Sequence, residues 1–378
     1  VYSRLLDVMS TAGTSLMERL NELPDPRKPS NGTRHDFREI LVIAICAMLS
    51  DADSFDDIAL WGRLKESWLR RFLRLQNGIP SQDCFLRVFR ALDPTCFESV
   101  FRRWVGDVVG ALDGTVAIDG KTLCGSADGS QPAVHMVSAF STQLGLVLGQ
   151  ERVSGKSNEI TAIPELLEAL YVKGLLISLD AMGCQREIAQ KIRDKGGDYL
   201  LAVKGNQPGL HDEVRWRMSK VQDTPAHEHV DRSHGRTVLQ LSWTADAQDA
   251  IDPQKWADCK TVGRVVSQRI VGNKVADLEE RYYISSRSLS ARELADAVRA
   301  HWGIENRLHW MLDVCFGEDD CMVRKDNAPQ NLSLLKKMVL NLIRLDTTDK
   351  VKTSMRQKRK RAAWDDDIRM AMLGIKPL

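Results

Sequence analysis

Apolar residues recur at intervals of three and four through FREILVIAICAMLS (37–50), DSFDDIALWGRLKESWLRRFLRL (53–75) and QDCFLRVFRAL (82–92), with basic residues between them. That period predicts amphipathic helices. The turn-forming stretches PDPRKPSNG (24–32) and NGIPSQ (77–82) separate them, so residues 1–105 read as a small helical domain.

From residue 113 the texture changes. TVAIDG, AVHMVSAFST and GLVLGQERVS read as three strands, followed by a helical TAIPELLEALYVK, a strand GLLISLDAMG, a helical QREIAQKIRDKG and a strand DYLLAVKG. Three strands, helix, strand, helix, strand is a mixed α/β order over 106–205. Pro164 is expected in the first turn of its helix with Thr161 as the cap. Residues 206–290 are more polar and carry alternating stretches, which predicts a β-rich insertion. SARELADAVRAHWGIENRLHWMLDVCF then reads as one long helix opened by a capping box, Ser290 with Glu293. A further helix, NLSLLKKMVLNLIRL, completes 291–345, and 346–378 forms a basic C-terminal segment.

Charge and composition narrow the classes. Apolar runs are too short to span a bilayer, no export signal opens the sequence, and a cytoplasmic location without membrane contact is expected. Eight cysteines form no CxxC pair, which argues against a zinc site or a disulfide frame. The formal net charge is only +2, but KVKTSMRQKRKR (350–361) holds seven cations and no acid. This stretch, with Arg356, Lys358, Arg359, Lys360 and Arg361, reads either as a phosphate-contacting patch or as a solvated tail. The interleaved Trp, Arg and Lys of WGRLKESWLRRFLRL suggest a second DNA-contacting surface.

GTVAIDGKTLCG (114–125) resembles a nucleotide-binding loop, but five residues separate its glycines where four are needed, and TVAID is a strand. A tight hairpin at Asp119-Gly120 is an alternative. VAID is echoed by LISLDAMG, a second apolar strand ending in an acid, Asp180. If the two strands are neighbours, their carboxylates repel unless a proton or a cation intervenes, and hard oxygen ligands suit Mg²⁺. A third acid, Glu305, is the best candidate to join them. On a helix it shares a face with His301, Trp302, His309 and Asp313, although the same helix also reads as an ordinary amphipathic core helix.

The ordered set AIDGK, LDAMG, YLLAVKGNQ, RYYISS and HWGIENRLHWMLDVCFGEDD resembles the DDE transposases of bacterial insertion sequences, in particular the H-repeat-associated group. LPDPRKPSNGTRHDFREILVIAICAMLS and GIPSQDCFLRVFRALDP resemble that group's N-terminal associated domain. The resemblance implies an α/β, ribonuclease-H-like catalytic core with a β-rich insertion after a small helical domain. It places the catalytic acids at Asp119, Asp180 and Glu305, holding two Mg²⁺ ions for which Mn²⁺ can substitute. It implies cleavage and strand transfer at terminal inverted repeats of double-stranded DNA, by a homodimer in a synaptic complex that is nucleoid-associated when bound. Lys121, Lys204, Asn206, His301, Trp302 and His309 are expected to contact DNA, with Trp310 beside them. The residues also depart from the family pattern. Val298, His301 and Leu312 stand where many relatives carry Tyr, Arg and Lys, and Cys124 and Met322 stand where arginines are expected. A silent DNA-binding descendant and a nuclease without strand transfer are therefore carried as alternatives.

Overall fold

The structure is a computed structural model that describes residues 12–375 except 30–32, 111, 130, 155–157, 234, 249, 273 and 349–352. Residues 12–20 form α1, followed by α2 (Phe37–Leu49), α3 (Phe55–Leu64), α4 (Glu66–Leu69), α5 (Gln82–Ala91) and α6 (Pro94–Val109). The single helix expected over 53–75 is broken. Ser54 opens α3 with a capping box, and α4 gives way to turns that reach Leu75 at φ 46°. Helix α2 is buried on almost every side, so it is a core helix and not a surface one.

β1 (Thr115–Leu123), β2 (Val134–Ser141) and β3 (Leu146–Arg152) form an antiparallel meander. It is followed by α7 (Glu159–Ala169), β4 (Leu176–Leu179), α8 (Arg186–Asp194) and β5 (Asp198–Val203). β4 lies parallel to both β1 and β5. Asp119-Gly120 is not a hairpin turn, because β1 runs through it in register with β2 as far as Leu123. Helix α7 starts earlier than expected, since Asn158 accepts from the Ile160 amide at 3.1 Å and acts as the cap. Pro164 therefore sits inside the helix, where its ring removes the bond to the carbonyl of residue 160.

Beyond β5 the chain forms α9 (Pro208–Met218), then β6 (His227–Ser233), β7 (Arg236–Asp246), β8 (Thr261–Val271), the short β9 (Lys274–Val275) and β10 (Glu279–Ser285). These strands extend the core sheet and do not form a separate one. Its order is β3-β2-β1-β4-β5-β10-β8-β7-β6, with β9 on β8. The antiparallel pairing of β10 with β5 makes the join.

The last helices are α10 (Ala291–Ile304), α11 (Trp310–Phe316), α12 (Ala328–Leu345), α13 (Met355–Trp364) and α14 (Asp366–Leu373). α12 is buried along nearly its whole length and packs against α2, α5, α6 and β3. One continuous apolar cluster therefore runs from Ile40 and Phe89 through Trp104 to Val116, Val147 and Leu335, joining the N-terminal helices to the sheet. Several polar residues of α12 find partners inside that core. Lys337 Nζ donates to Gln150 Oε1 at 2.6 Å and to Ser333 Oγ at 3.1 Å, and Asn341 bridges the backbone of Val147.

Candidate active site

The parallel register pairs Ile118 with Leu179, so the next residue of each strand, Asp119 and Asp180, emerges at the same edge of the sheet. β1 continues past that point, whereas β4 ends in a turn held by Asp180 itself. Its Oδ1 accepts from the amides of Met182 (2.9 Å) and Gly183 (3.1 Å). Asn206, following β5, donates to the Ala181 carbonyl at 2.6 Å and so ties this turn to the next strand. Burial raises the Asp180 pKa above the usual carboxylate range. The amide of Gly183 works against that rise, while the charges of Glu159 and Asp119 add to it.

Glu305 arrives from the opposite side. The expected capping box is present, with the Ser290 hydroxyl accepting from the Glu293 amide and the Glu293 carboxylate accepting from the Ser290 amide. Leu294, Ala297 and Val298 then press α10 onto Leu176, Leu200, Val265 and Tyr283 of the sheet. The long helix is not uniformly α-helical, because Glu305–His309 forms a π-helical turn between α10 and α11. Such turns concentrate at functional sites. Here the turn brings Glu305 and His309 against β1, so that Asp119, Glu305 and His309 each offer a ligand atom within 4.8 Å of the other two. His309 is 3% exposed, and its Nε2 lies 3.4 Å from Asp119 Oδ2. Asp180 stands beside this group, not within it.

The donor set fits a divalent cation. Asp119 of β1 and Glu305 of the π turn bring carboxylate oxygens near one another, and both ring nitrogens of His309 are buried without a hydrogen-bond partner.

The flanking residues differ in how they are used. Lys121 is engaged by the protein, its Nζ lying 2.7 Å from Asp313 Oδ2 and 3.2 Å from Asp319 Oδ1. Burial opposes its charge, but these two carboxylates outweigh burial and hold its pKa above the ordinary lysine value. His301 Nδ1 lies 3.1 Å from Ser178 Oγ, and burial lowers its pKa against the pull of Asp119 and Asp180. Burial thus disfavours its charged form. Trp302 and Trp310 are 45% and 52% exposed, with the Arg281 guanidinium 4.6 Å from the Trp302 ring centre. Lys204 is exposed at the end of β5.

One pair beside the acids was not foreseen. His135 Nε2 lies 2.7 Å from Glu159 Oε1, and His135 Nδ1 lies 2.8 Å from Thr122 Oγ1. A Cβ on Gly120 would fall 2.2 Å from that Glu159 oxygen. The sequence pattern points to Thr161 as the cap and gives Glu159 no role, and only the tertiary fold brings Glu159 and His135 beside β1.

The basic C-terminal stretch needs correction. Lys350 and Lys352 lie outside the described residues. Arg359 is 1% exposed and donates to the carbonyls of Met48 and Ala52 at the end of α2 and to Asp53 Oδ1, with its guanidinium 4.3 Å from the Phe316 ring centre. Lys358 donates to the carbonyls of Ile343 and Asp346. These two cations hold the C-terminal helices to the body, which removes them from a DNA-facing patch. Arg356 is exposed, and Lys360 lies 5.7 Å from the Trp364 ring centre. Likewise Trp61 and Trp68 of the N-terminal stretch are occupied by the buried Arg369, at 5.2 and 4.1 Å.

The mixed α/β sheet thus carries acids beside the carboxyl end of its fourth strand and the adjoining point of its first, with a third acid on the turn that follows the remaining strands. Residues 104–342 match the family described as Transposase DDE domain, and residues 17–105 match the DDE_Tnp_1-associated family. The chain belongs to this transposase family. It is 40% identical over 363 residues to "H repeat-associated putative transposase YhhI" of Escherichia coli (strain K12), covering 93% of this chain and 95% of that one. It is likewise 40% identical over 364 residues to "Putative transposase YncI" of Escherichia coli O157:H7, covering 92% of each. Among solved structures it is similar to a piggyBac transposase in a synaptic complex with hairpin DNA, with a TM-score of 0.42 at 11% identity, covering 97% of this chain and 78% of that one. Among the described residues no helix is long and apolar enough to cross a membrane.

Proposed function

We propose that this chain cleaves and rejoins DNA at the terminal inverted repeats of an insertion sequence, using Asp119, Asp180 and Glu305 and divalent cations, with Mg²⁺ as the ordinary ion. The observation that carries this reading is the approach of Glu305 to Asp119 from a distant part of the chain, beside an Asp180 fixed by strand register. Bound divalent metal supplies Lewis-acid stabilisation of a phosphoryl oxygen and a hydroxide or 3′-alkoxide nucleophile. Asp119, Asp180 and Glu305 would hold the metal. The backbone amides of Met182 and Gly183 hold the Asp180 carboxylate in one orientation. The Lys121 pairs hold α11, and with it the π turn, against β1.

Double-stranded DNA is the substrate, and a homodimer is the working unit on paired ends, in the cytoplasm and at the nucleoid. Lys204, Asn206, Trp302, Trp310, Arg356, Lys360 and Arg361 are the groups assigned to DNA. The exposed indoles suit stacking on an unpaired base. The decisive experiment incubates purified protein with DNA carrying the ends of its own element, with and without Mg²⁺, and maps the broken strands. Mg²⁺-dependent nicking at the repeats that Asp119→Ala abolishes is the expected result.

A second reading rests on Cys124 and Met322, both exposed where the family pattern has arginines. A protein with a weakened phosphate clamp binds the repeats and leaves them uncut even in Mn²⁺. A nuclease would cut but fail to join precleaved ends in a strand-transfer assay.

A further inference from the structure

His309 is set apart from the other histidines near the site. His301 has Ser178 as a partner, and His135 has Glu159 and Thr122. His309 is buried, neither of its ring nitrogens makes a hydrogen bond, and its Nε2 faces Asp119 Oδ2 at 3.4 Å. Leaving a buried polar atom unpaired is unfavourable. An apolar side chain would fill this position in the π turn without that cost. The turn also fixes the alignment, because Glu305 and His309 are its first and last residues and each places a ligand atom within 4.8 Å of one on Asp119.

We propose that His309 is a metal ligand, completing with Asp119 and Glu305 a mixed nitrogen and oxygen site that selects Mn²⁺ over Mg²⁺. The argument is chemical. Mg²⁺ favours oxygen donors and retains its waters, whereas imidazole nitrogen suits first-row transition ions. Carboxylates alone would leave the choice to Mg²⁺, the more hydrated and more abundant ion. One buried imidazole shifts the preference at this position, while the side of Asp119 toward Asp180 remains all-oxygen. The inference rests on the metal-dependent reading of the site, and its test separates the two.

Mn²⁺ and Mg²⁺ are titrated calorimetrically into the full chain without DNA, and the Mn²⁺-loaded protein is examined by pulsed electron paramagnetic resonance. The wild type is expected to bind Mn²⁺ about tenfold or more tighter than Mg²⁺ and to show nitrogen-14 coupling from a directly bound imidazole. His309→Gln and His309→Leu are expected to lose that coupling and about tenfold or more of the Mn²⁺ affinity, with Mg²⁺ affinity changed less than about threefold. The coupling is read on the wild type, so a variant that misfolds does not remove the test. Absence of nitrogen coupling in the wild type, or its persistence in folded His309→Gln, overturns the assignment of His309. Asp119→Asn isolates the underlying reading: undiminished binding of both ions would overturn the metal site itself. Loss of binding in Asp119→Asn with unchanged Mn²⁺ affinity in both His309 variants overturns only the role of His309.

Discussion

Lys121 Nζ lies 2.7 Å from Asp313 Oδ2, a bond between β1 and the helix that follows the π turn. The lysine side chain is 14% exposed, so the pair is shielded from solvent and salt. Lys121→Met strands the Asp313 carboxylate, at a cost of about 1–3 kcal/mol in the alignment of α11. Strand cleavage is expected to fall by about tenfold or more, with affinity for the repeats nearly unchanged. Asp313→Asn should reproduce the loss, and the double variant should not add to it. A drop in DNA affinity with a salt slope shallower by about one unit would instead make Lys121 a phosphate contact.

Arg359 and Arg356 lie one helical turn apart in α13 and are expected to behave in opposite ways. Removing Arg359 leaves Asp53 and two carbonyls of the α2 terminus without their donor. Arg359→Met should lower unfolding stability in urea by about 1–3 kcal/mol, as leaving buried acceptors without their donor does. Arg356→Ala should stay within about 0.5 kcal/mol, because it is exposed. If it meets DNA, its loss appears only as weaker, less salt-dependent binding.

These two arginines also show what the sequence made legible. Composition marks 350–361 as basic but does not reveal that Arg359 reaches α2, since that contact joins residues about 310 positions apart. The same limit applies to Trp61 and Trp68, whose spacing with arginine suggests nucleic acid and whose actual partner is Arg369. The acids were legible because each ends or interrupts a strongly patterned element. Asp119 interrupts an apolar strand, Asp180 closes one, and Glu305 follows a capped amphipathic helix. The π turn was not, because a five-residue change of helical pitch leaves the apolar period nearly intact. The join of β10 to β5 was hidden for a related reason, as alternation predicts strands but not their neighbours.

Glu98 is fully buried at the contact of α6 with β3, where it accepts from the Gln150 amide at 2.9 Å. Burial pushes its pKa up to about 7, against the Gln150 hydrogen bond and the charges of Arg102 and Lys337. A carboxyl whose folded pKa is raised contributes fully at pH values below its unfolded pKa. That contribution is lost as pH rises through the folded value. Between about pH 4.5 and 7 the wild type should therefore lose stability relative to Glu98→Gln, which keeps the acceptor but cannot ionise. The difference is expected to approach about 3 kcal/mol at pH 8 and to vanish near pH 4, read from urea midpoints across that range. A pH-independent difference would show that Glu98 does not titrate in this window.

Cys124 and Met322 stand where the family resemblance led us to expect arginines, and both are exposed. Cys124 opens a short helical turn after β1, and the adjacent Gly125 packs so closely that a Cβ would lie 2.3 Å from the Cys321 carbonyl oxygen. The Arg324 Nε donates to the Gly125 carbonyl at 3.1 Å, so a cation already borders both positions. Because Cys124 and Met322 are exposed, Cys124→Arg and Met322→Arg should change stability by less than about 0.5 kcal/mol. On DNA carrying the terminal repeats, each added guanidinium that meets a phosphate should steepen the salt dependence by about 0.9 units of slope. If the clamp is what this chain lacks, the double variant binds more tightly at low salt and cleaves faster in Mg²⁺. Tighter binding without faster cleavage would place the defect at the metal site, and no change in either would show that these positions face away from DNA.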